Sequence, residues 1–413
     1  MIRNNLVKLR FNRAILSALV AGALGITSSG AATVVEVVNY FNVPGQVDAL
    51  SELQKDFEKA NPDITIKYTY IPFGELMSRT LQMAAVHRPP AIAILDNPDV
   101  LRVARSGILK DISADVGKLA VWKDLYPGPK SAVVSGDKTF GVPIGSNSLA
   151  IFYNRKLLTD AGVQPPKTWE QLTDVAAKTK KSPVYGIAFS AVNTEEATWQ
   201  WEPFLWSNGG TLENLDSENA KVALQLWINW IQNGVASKDV VNWNQGDVAN
   251  QFISGQAAMM VMGPWMLDAV KKAQVDFGVT PIPVPTEGAK PVVPLGGEVW
   301  CVLKGDPKVE AAAIKFITFT QEPARLRKVC DAFNYISSVR AVAKDQGEAN
   351  PELVPFVAQM ETARARSQDG GAKYPEISLV TRAAIQQSLV GQVSVENALK
   401  DAATKIKAII AGK

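Results

Sequence analysis

From Thr33 to Phe41 the chain is an almost unbroken apolar run rich in valine, which predicts a strand covered on both faces. Val47, Leu50, Leu53 and Phe57 then recur at helical spacing, and Asn61-Pro62 ends that helix. Between Ile64 and Ile71, Ile64, Ile66, Tyr68 and Tyr70 alternate with Thr65, Lys67 and Thr69, predicting a second strand. A helix around Gly74 to Val86 leads to a third strand, Ala91 to Leu95, which stops at Asp96-Asn97-Pro98. Strand, helix, strand, helix, strand is the order of a parallel βαβ lobe.

Further along, Thr168-Trp169-Glu170-Gln171 opens a helix with a capping-box spacing. Asp216 to Asn233 predicts a helix carrying Ala223, Leu226, Trp227, Trp230 and Ile231 along one face. Pro281, Pro283, Pro285, Pro291 and Pro294 exclude a long helix between Val279 and Gly297, so that stretch predicts an extended crossing between two lobes. Val299 to Leu303 as a strand and Val309 to Thr320 as a helix form a βα unit like those near the start. The last helix is capped by Ser394 and buries Val395, Leu399, Ile406 and Ile410.

With 413 residues, 47% of them hydrophobic and 20% charged, the chain has the balance of a folded protein of two or more lobes. Its first residues change the charge account. Arg3, Lys8, Arg10 and Arg13 precede an apolar run from Ala14 to Ile26, followed by Ser28-Ser29-Gly30-Ala31-Ala32. This is the layout of an export signal over residues 1–32, cleaved near Ala32, and its apolar run is shorter than the ~20 residues of a membrane span. Without it, 39 basic residues face 40 acidic ones, which gives no support to nucleic-acid or anionic-membrane binding. No cysteine lies near the cut to take a lipid anchor, so the expected location is the periplasm. Cys301 and Cys330 are the only cysteines, and spacing alone leaves open whether they form a disulfide.

Candidate chemistry narrows by elimination. His87 is the only histidine, beside Arg88-Pro89-Pro90 at a helix end, so neither a hydrolytic triad nor a zinc pattern is supported. The Gly-Gly pairs at 209–210, 296–297 and 370–371 lack the Lys-Ser/Thr of a phosphate loop. No metal or cofactor is implied. Paired carboxylates acting on a glycoside stay open, because 40 acids permit them. The ten tryptophans are more telling. A sugar site needs flat aromatic platforms together with planar hydrogen-bonding groups. Trp227 and Trp230 belong to a helix's apolar stripe and so to the core, whereas Trp199 and Trp201 alternate with Thr198, Gln200 and Glu202 as cleft-lining residues do.

Two stretches carry a family resemblance: Tyr153-Asn154-Arg155-Lys156-Leu157-Leu158 with Ala161-Gly162-Val163 and Pro165-Pro166-Lys167-Thr168-Trp169, and Phe252-Ile253-Ser254-Gly255-Gln256-Ala257-Ala258-Met259 with Gly263-Pro264-Trp265. Together with the tail from Gly391 to Ile409, they resemble family 1 of the extracellular solute-binding proteins, the carbohydrate receptors of ABC importers, of the maltose-binding type. The resemblance implies the α/β, two-lobed periplasmic binding protein fold, with a central cleft and crossing hinge segments. Its lobes are expected at 33–143 with 294–340 and at 144–293 with 341–413. It implies a monomer that binds a mono- or short oligosaccharide or related glycoside by lobe closure, without catalysis, and delivers it to an inner-membrane permease.

Ligands of open α/β sheets lie beyond the carboxyl ends of strands, which points to Asn42 after the first strand and to Asp96-Asn97 after the third, and Gln46 is a further candidate contact. The resemblance adds Trp265 and Trp199 as stacking aromatics, and Gly297 sits at a crossing as a place of close backbone approach to a ligand or, equally, as a plain hinge. Arg340 follows Ser337-Ser338-Val339 where many relatives carry a proline, and its guanidinium could clamp an anionic substituent. Near Thr381 the chain is polar where relatives can offer a tryptophan, which favours a small glycoside over a long maltodextrin. A receptor for a polyol phosphate or other anionic sugar derivative is the alternative on the same fold. A secreted carbohydrate-active enzyme is the alternative of another class.

Overall fold

The computed structural model describes residues 32–412, so the expected export signal lies outside the described residues apart from Ala32. In chain order the first lobe begins with β1 (Thr33–Asn39), α1 (Pro44–Ala60), β2 (Ile64–Tyr70), α2 (Phe73–Ala85), β3 (Ile92–Asp96), α3 (Asn97–Arg105) and β4 (Val142–Pro143). The second is built on β5 (Ala150–Asn154), α4 (Trp169–Thr179), β6 (Tyr185–Ala188), α5 (Glu195–Ser207), α6 (Glu218–Gln232), α7 (Gln245–Ile253), β7 (Ala257–Met262) and β8 (Phe277–Thr280). The chain then returns through β9 (Glu298–Val302), α8 (Pro307–Thr320), α9 (Pro323–Phe333) and α10 (Arg340–Ala349), and ends with α11 (Tyr374–Leu389) and α12 (Val395–Ile410).

The first sheet has the order β2-β1-β3-β9-β4. β1 is parallel to both β2 and β3, as the alternating pattern predicts. Successive side chains of a strand point to opposite faces, and here both faces are covered. Val35, Val37, Ile92 and Ile94 join the side packed by α1, α8 and α9, while Val38, Ala93 and Leu95 join the side packed by α2 and α3. The second sheet has the order β8-β5-β7-β6 and surrounds β7, all six of whose residues are buried. Its core is aromatic: Phe189 and Trp227 have ring centroids 4.3 Å apart, and Phe204 meets Trp230 edge-on at 5.6 Å. No helix among the described residues is long and apolar enough to cross a membrane.

Several expectations need correction. β9 is not a repeat of the opening βα units, because it runs antiparallel to β3 with Glu298 opposite Asp96. The chain comes back from the second sheet to the edge where β3 ends, so it must enter the first sheet from that edge. Trp201 is a core residue with no exposure. Positions 199 and 201 lie about 200° apart around α5, so the two indoles face opposite ways. The helix starts fare well: the Thr168 hydroxyl accepts from the Gln171 amide, and Ser394 accepts from that of Asn397. The Gln171 side chain, however, takes the amide of Lys167, one residue before the cap. In the last helix Leu399 and Ile406 are buried, whereas Ile410 stands 45% exposed.

Three crossing segments run side by side between the sheets. Ser146 and Ile336 exchange both backbone hydrogen bonds at 2.7 Å, and Asn147 and Gly296 exchange theirs at 3.1 and 2.9 Å. Gly297 has φ +108, and a Cβ there would lie 2.3 Å from the Gly145 carbonyl oxygen, so the crossing requires glycine.

Both cysteines are unpaired and buried. Cys301 points into the face packed by α2 and α3, and Cys330 into the other, so the first sheet separates them. Burial pushes both thiols well above their ordinary value. An aromatic disulfide reagent at pH 8 should therefore label neither thiol in the native protein and both after unfolding in guanidinium. Labelling of the native protein at a rate close to that of a free thiol contradicts this packing.

Candidate functional site

The carboxyl ends of β1 and β3 and the first residue of β9 share one edge of the first sheet, and α5, α7 and the segment after β7 face that edge from the second lobe. Between them lies a cleft of about 370 Å³. The first lobe contributes Tyr40, Phe73, Asp96 and Glu298, the second Glu195, Glu196, Trp199, Gln245 and Trp265, and the crossings Asn147, Gly296, Gly297 and Tyr335, with Arg366 behind.

Arg366 organises the polar side. It is 4% exposed, and one terminal nitrogen donates to both oxygens of Asp96 at 2.8 Å while the other donates to Glu195 Oε1 at 2.9 Å. The guanidinium also lies 4.8 Å from the centroid of the Trp199 ring and 5.8 Å from that of Tyr374. Tyr374 donates to Glu195 at 2.5 Å and lies 3.0 Å from Glu202, and Ser378 donates to the second oxygen of Glu195. Burial raises the Asp96 carboxyl, and Arg366 opposes that rise. Glu202, deeper still, is held well above its usual range by burial, with Glu195 adding to the effect.

Glu298 is the second focus. It is 5% exposed and is pushed up to about 7, by burial first and by the neighbouring Asp96 charge next. Tyr40 donates to its Oε1, Tyr335 faces the same carboxyl, and Oε2 has no hydrogen-bond partner.

The aromatic side is unevenly open. Trp265 is partly exposed, its indole folded over Gly263, where a Cβ would lie 1.9 Å from the ring. Only glycine at 263 leaves that space. Phe73 is 54% exposed and meets the ring of Tyr40 edge-on at 4.9 Å, so the two form a rim opposite the indole. Trp199 is 5% exposed, with Arg366 over its ring and Gly296 against its edge.

Of the residues singled out from the sequence, Asp96, Trp199, Trp265 and Gly297 come together in this cleft. Four do not line it. Asn42 is exposed, and Gln46 lies half-buried in the first turn of α1. Asn97 is 3% exposed and gives its side-chain amide to the carbonyls of Leu295 and Gly297, so it braces the crossing from behind. Arg340 is spent elsewhere: it pairs with Glu361 at 2.9 Å, donates to the Leu125 carbonyl at 2.8 Å and lies over the Tyr126 ring. The strand-end argument ran two residues past Tyr40 to Asn42 and missed Glu298, whose strand direction it did not foresee. Arg366, 270 positions from Asp96, carries no local signal beyond being a basic residue near a Gly-Gly turn.

The arrangement offers carboxylates and amides within reach of aromatic faces, which suits a polyhydroxylated solute of small size. Comparison with known proteins agrees with the geometry. Residues 52–355 match the family model of bacterial extracellular solute-binding proteins. A putative binding protein of Brucella abortus is 25% identical over 371 residues, covering 87% of this chain and 89% of its own. A maltodextrin-binding protein of Bacillus subtilis is 24% identical over 379 residues, 87% of this chain and 86% of its own. Among solved structures, a maltose-bound T. maritima protein superposes with a TM-score of 0.81 at 24% identity, over 91% of this chain and 99% of the other.

The raised value of Glu298 has a measurable sign. Between its ordinary value of 4.5 and about 7, the folded state holds a proton that the unfolded state has lost. The stabilisation is complete below that window and is lost as pH rises through 7, a total of about 3 kcal/mol. Thermal unfolding at pH 5 and pH 8 should show the natural protein losing more stability over that interval than Glu298→Gln. Equal losses contradict the assignment.

Proposed function

The chain belongs to the bacterial extracellular solute-binding proteins, and from that premise we propose that it is the receptor of an ABC importer for a mono- or short oligosaccharide or related glycoside. The observation that carries this reading is the pairing, in one cleft between two sheets, of an open indole and an aromatic rim with a polar wall of carboxylates and amides. Indole and phenyl faces take the apolar C–H faces of a sugar ring, while carboxylates accept from its hydroxyls. A cleft of about 370 Å³ suits one or two sugar rings better than a long chain.

The lobes, taken as 33–143 with 294–340 and 144–293 with 341–413, approach each other when the solute bridges Trp265 and the Tyr40–Phe73 rim. A ligand shifts the balance of open and closed forms only by its differential affinity for them, and contacts drawn from both lobes supply that difference. The closed monomer then docks on a membrane permease in the periplasm and releases the solute unchanged. Micromolar affinity, about −8 kcal/mol, is enough for capture and still allows release.

Of the two alternatives, the receptor for an anionic solute depends on a free cation in the cleft. Arg340 lies outside it, and both terminal nitrogens of Arg366 are taken by carboxylates, so a phosphate or carboxylate substituent meets mainly like charge. The paired-carboxylate enzyme is set aside by the family, whose members bind solutes.

Saturable thermal stabilisation by a neutral saccharide, with no product released on prolonged incubation, is the expected behaviour. Trp265→Ala should weaken that binding at least tenfold with the fold intact by circular dichroism. An unchanged affinity removes Trp265 from the site, and product release overturns the receptor reading.

A further inference from the structure

Resting on the saccharide reading above, we propose that the solute of this cleft carries a protonated amine and that Glu298 is the residue that receives it. Four carboxylates line the cleft, Asp96, Glu195, Glu196 and Glu298, against one cationic side chain, Arg366. The pairing within this group is unequal. Arg366 takes Asp96 through both carboxylate oxygens and Glu195 through one. Glu196 accepts from the backbone amide of Gln245 at 2.7 Å and from the Ser190 hydroxyl at 3.0 Å. Glu298 has the Tyr40 hydroxyl on Oε1 and Tyr335 against the same carboxyl, with Oε2 unpartnered and no ion pair among the described residues.

A carboxylate 95% withdrawn from water, with one oxygen unpartnered and Asp96 beside it in register, is an unfavourable arrangement for an empty protein. A neutral hydroxyl offers it one ordinary hydrogen bond. An ammonium offers up to three donors and the missing opposite charge, and charge-assisted bonds are roughly twice as strong as neutral ones. The surroundings suit a cation as well. Tyr40 and Tyr335 flank the carboxyl, and Phe73 packs edge-on against Tyr40 at 4.9 Å, so aromatic rings line the cleft beside the acid. The Tyr40 hydroxyl is turned to Glu298 as donor, which leaves its oxygen free to accept. Amino-substituted sugars combine this cation with the ring faces and hydroxyls that the rest of the cleft takes.

Calorimetry on the full mature chain with matched probes tests the assignment: glucose against glucosamine and N-acetylglucosamine, and cellobiose against the chitosan dimer. The free amine should bind at least tenfold more tightly than its neutral and acetylated counterparts, and added salt should narrow the difference. Glu298→Gln should reduce the preference to about twofold or less, judged as a ratio within the variant. The comparison in the unaltered protein needs no variant to fold. Neutral and acetylated probes that bind as tightly as the amine overturn the amine assignment and leave the saccharide receptor standing. Binding of none of these probes removes both.

Discussion

A single buried guanidinium holds the two halves of this cleft in relation to each other. Asp96 ends a strand of the first sheet and Glu195 begins a helix beside the second, so without a cation between them the two carboxylates would face each other in a place poor in water. Arg366 supplies that cation and makes three bonds of 2.8 to 2.9 Å to them. Removing one partner of such a buried network costs about 3–5 kcal/mol, because the remaining charges are left uncompensated. The network also turns Trp199 into a packed wall, since the guanidinium covers its ring, and leaves Trp265, Tyr40 and Phe73 as the open surfaces.

Backbone geometry sets the second constraint. The three crossings lie close enough to exchange hydrogen bonds, and Gly296 and Gly297 are the residues that permit it. A Cβ on Gly296 would fall 2.0 Å from the Asn147 side-chain oxygen and 2.8 Å from the Trp199 ring. The same pair therefore serves the crossing and the wall of the cleft. Its neighbour Glu298 begins the strand that carries the chain back into the first sheet, which is how a crossing residue and a buried acid come to lie side by side. An acid buried there is costly to stability.

Much of this was legible in the sequence. Apolar periodicity and proline placement gave the alternating elements, the helix starts and the extended crossing, and two local motifs gave the family. Asp96 followed from the end of the third strand, and Trp265 from Gly-Pro-Trp. What stayed hidden depended on direction or distance. Whether β9 ran with or against β3 is decided by where the returning chain enters, and no residue within β9 records it. Trp199 and Trp201 looked equivalent until helical geometry turned them apart. Arg340 and Arg366 are both basic residues in the last quarter of the chain, and only the fold shows that one is engaged by Glu361 and the Leu125 carbonyl while the other is buried at the cleft.

Small-angle scattering of the mature chain, titrated with the solute that copurifies with it and followed by mass spectrometry of that solute, tests most directly whether the two halves form a clamp. The account predicts a smaller radius of gyration at saturation and recovery of the solute at its original mass. An unchanged radius at saturation, or recovery of a cleaved solute, contradicts it.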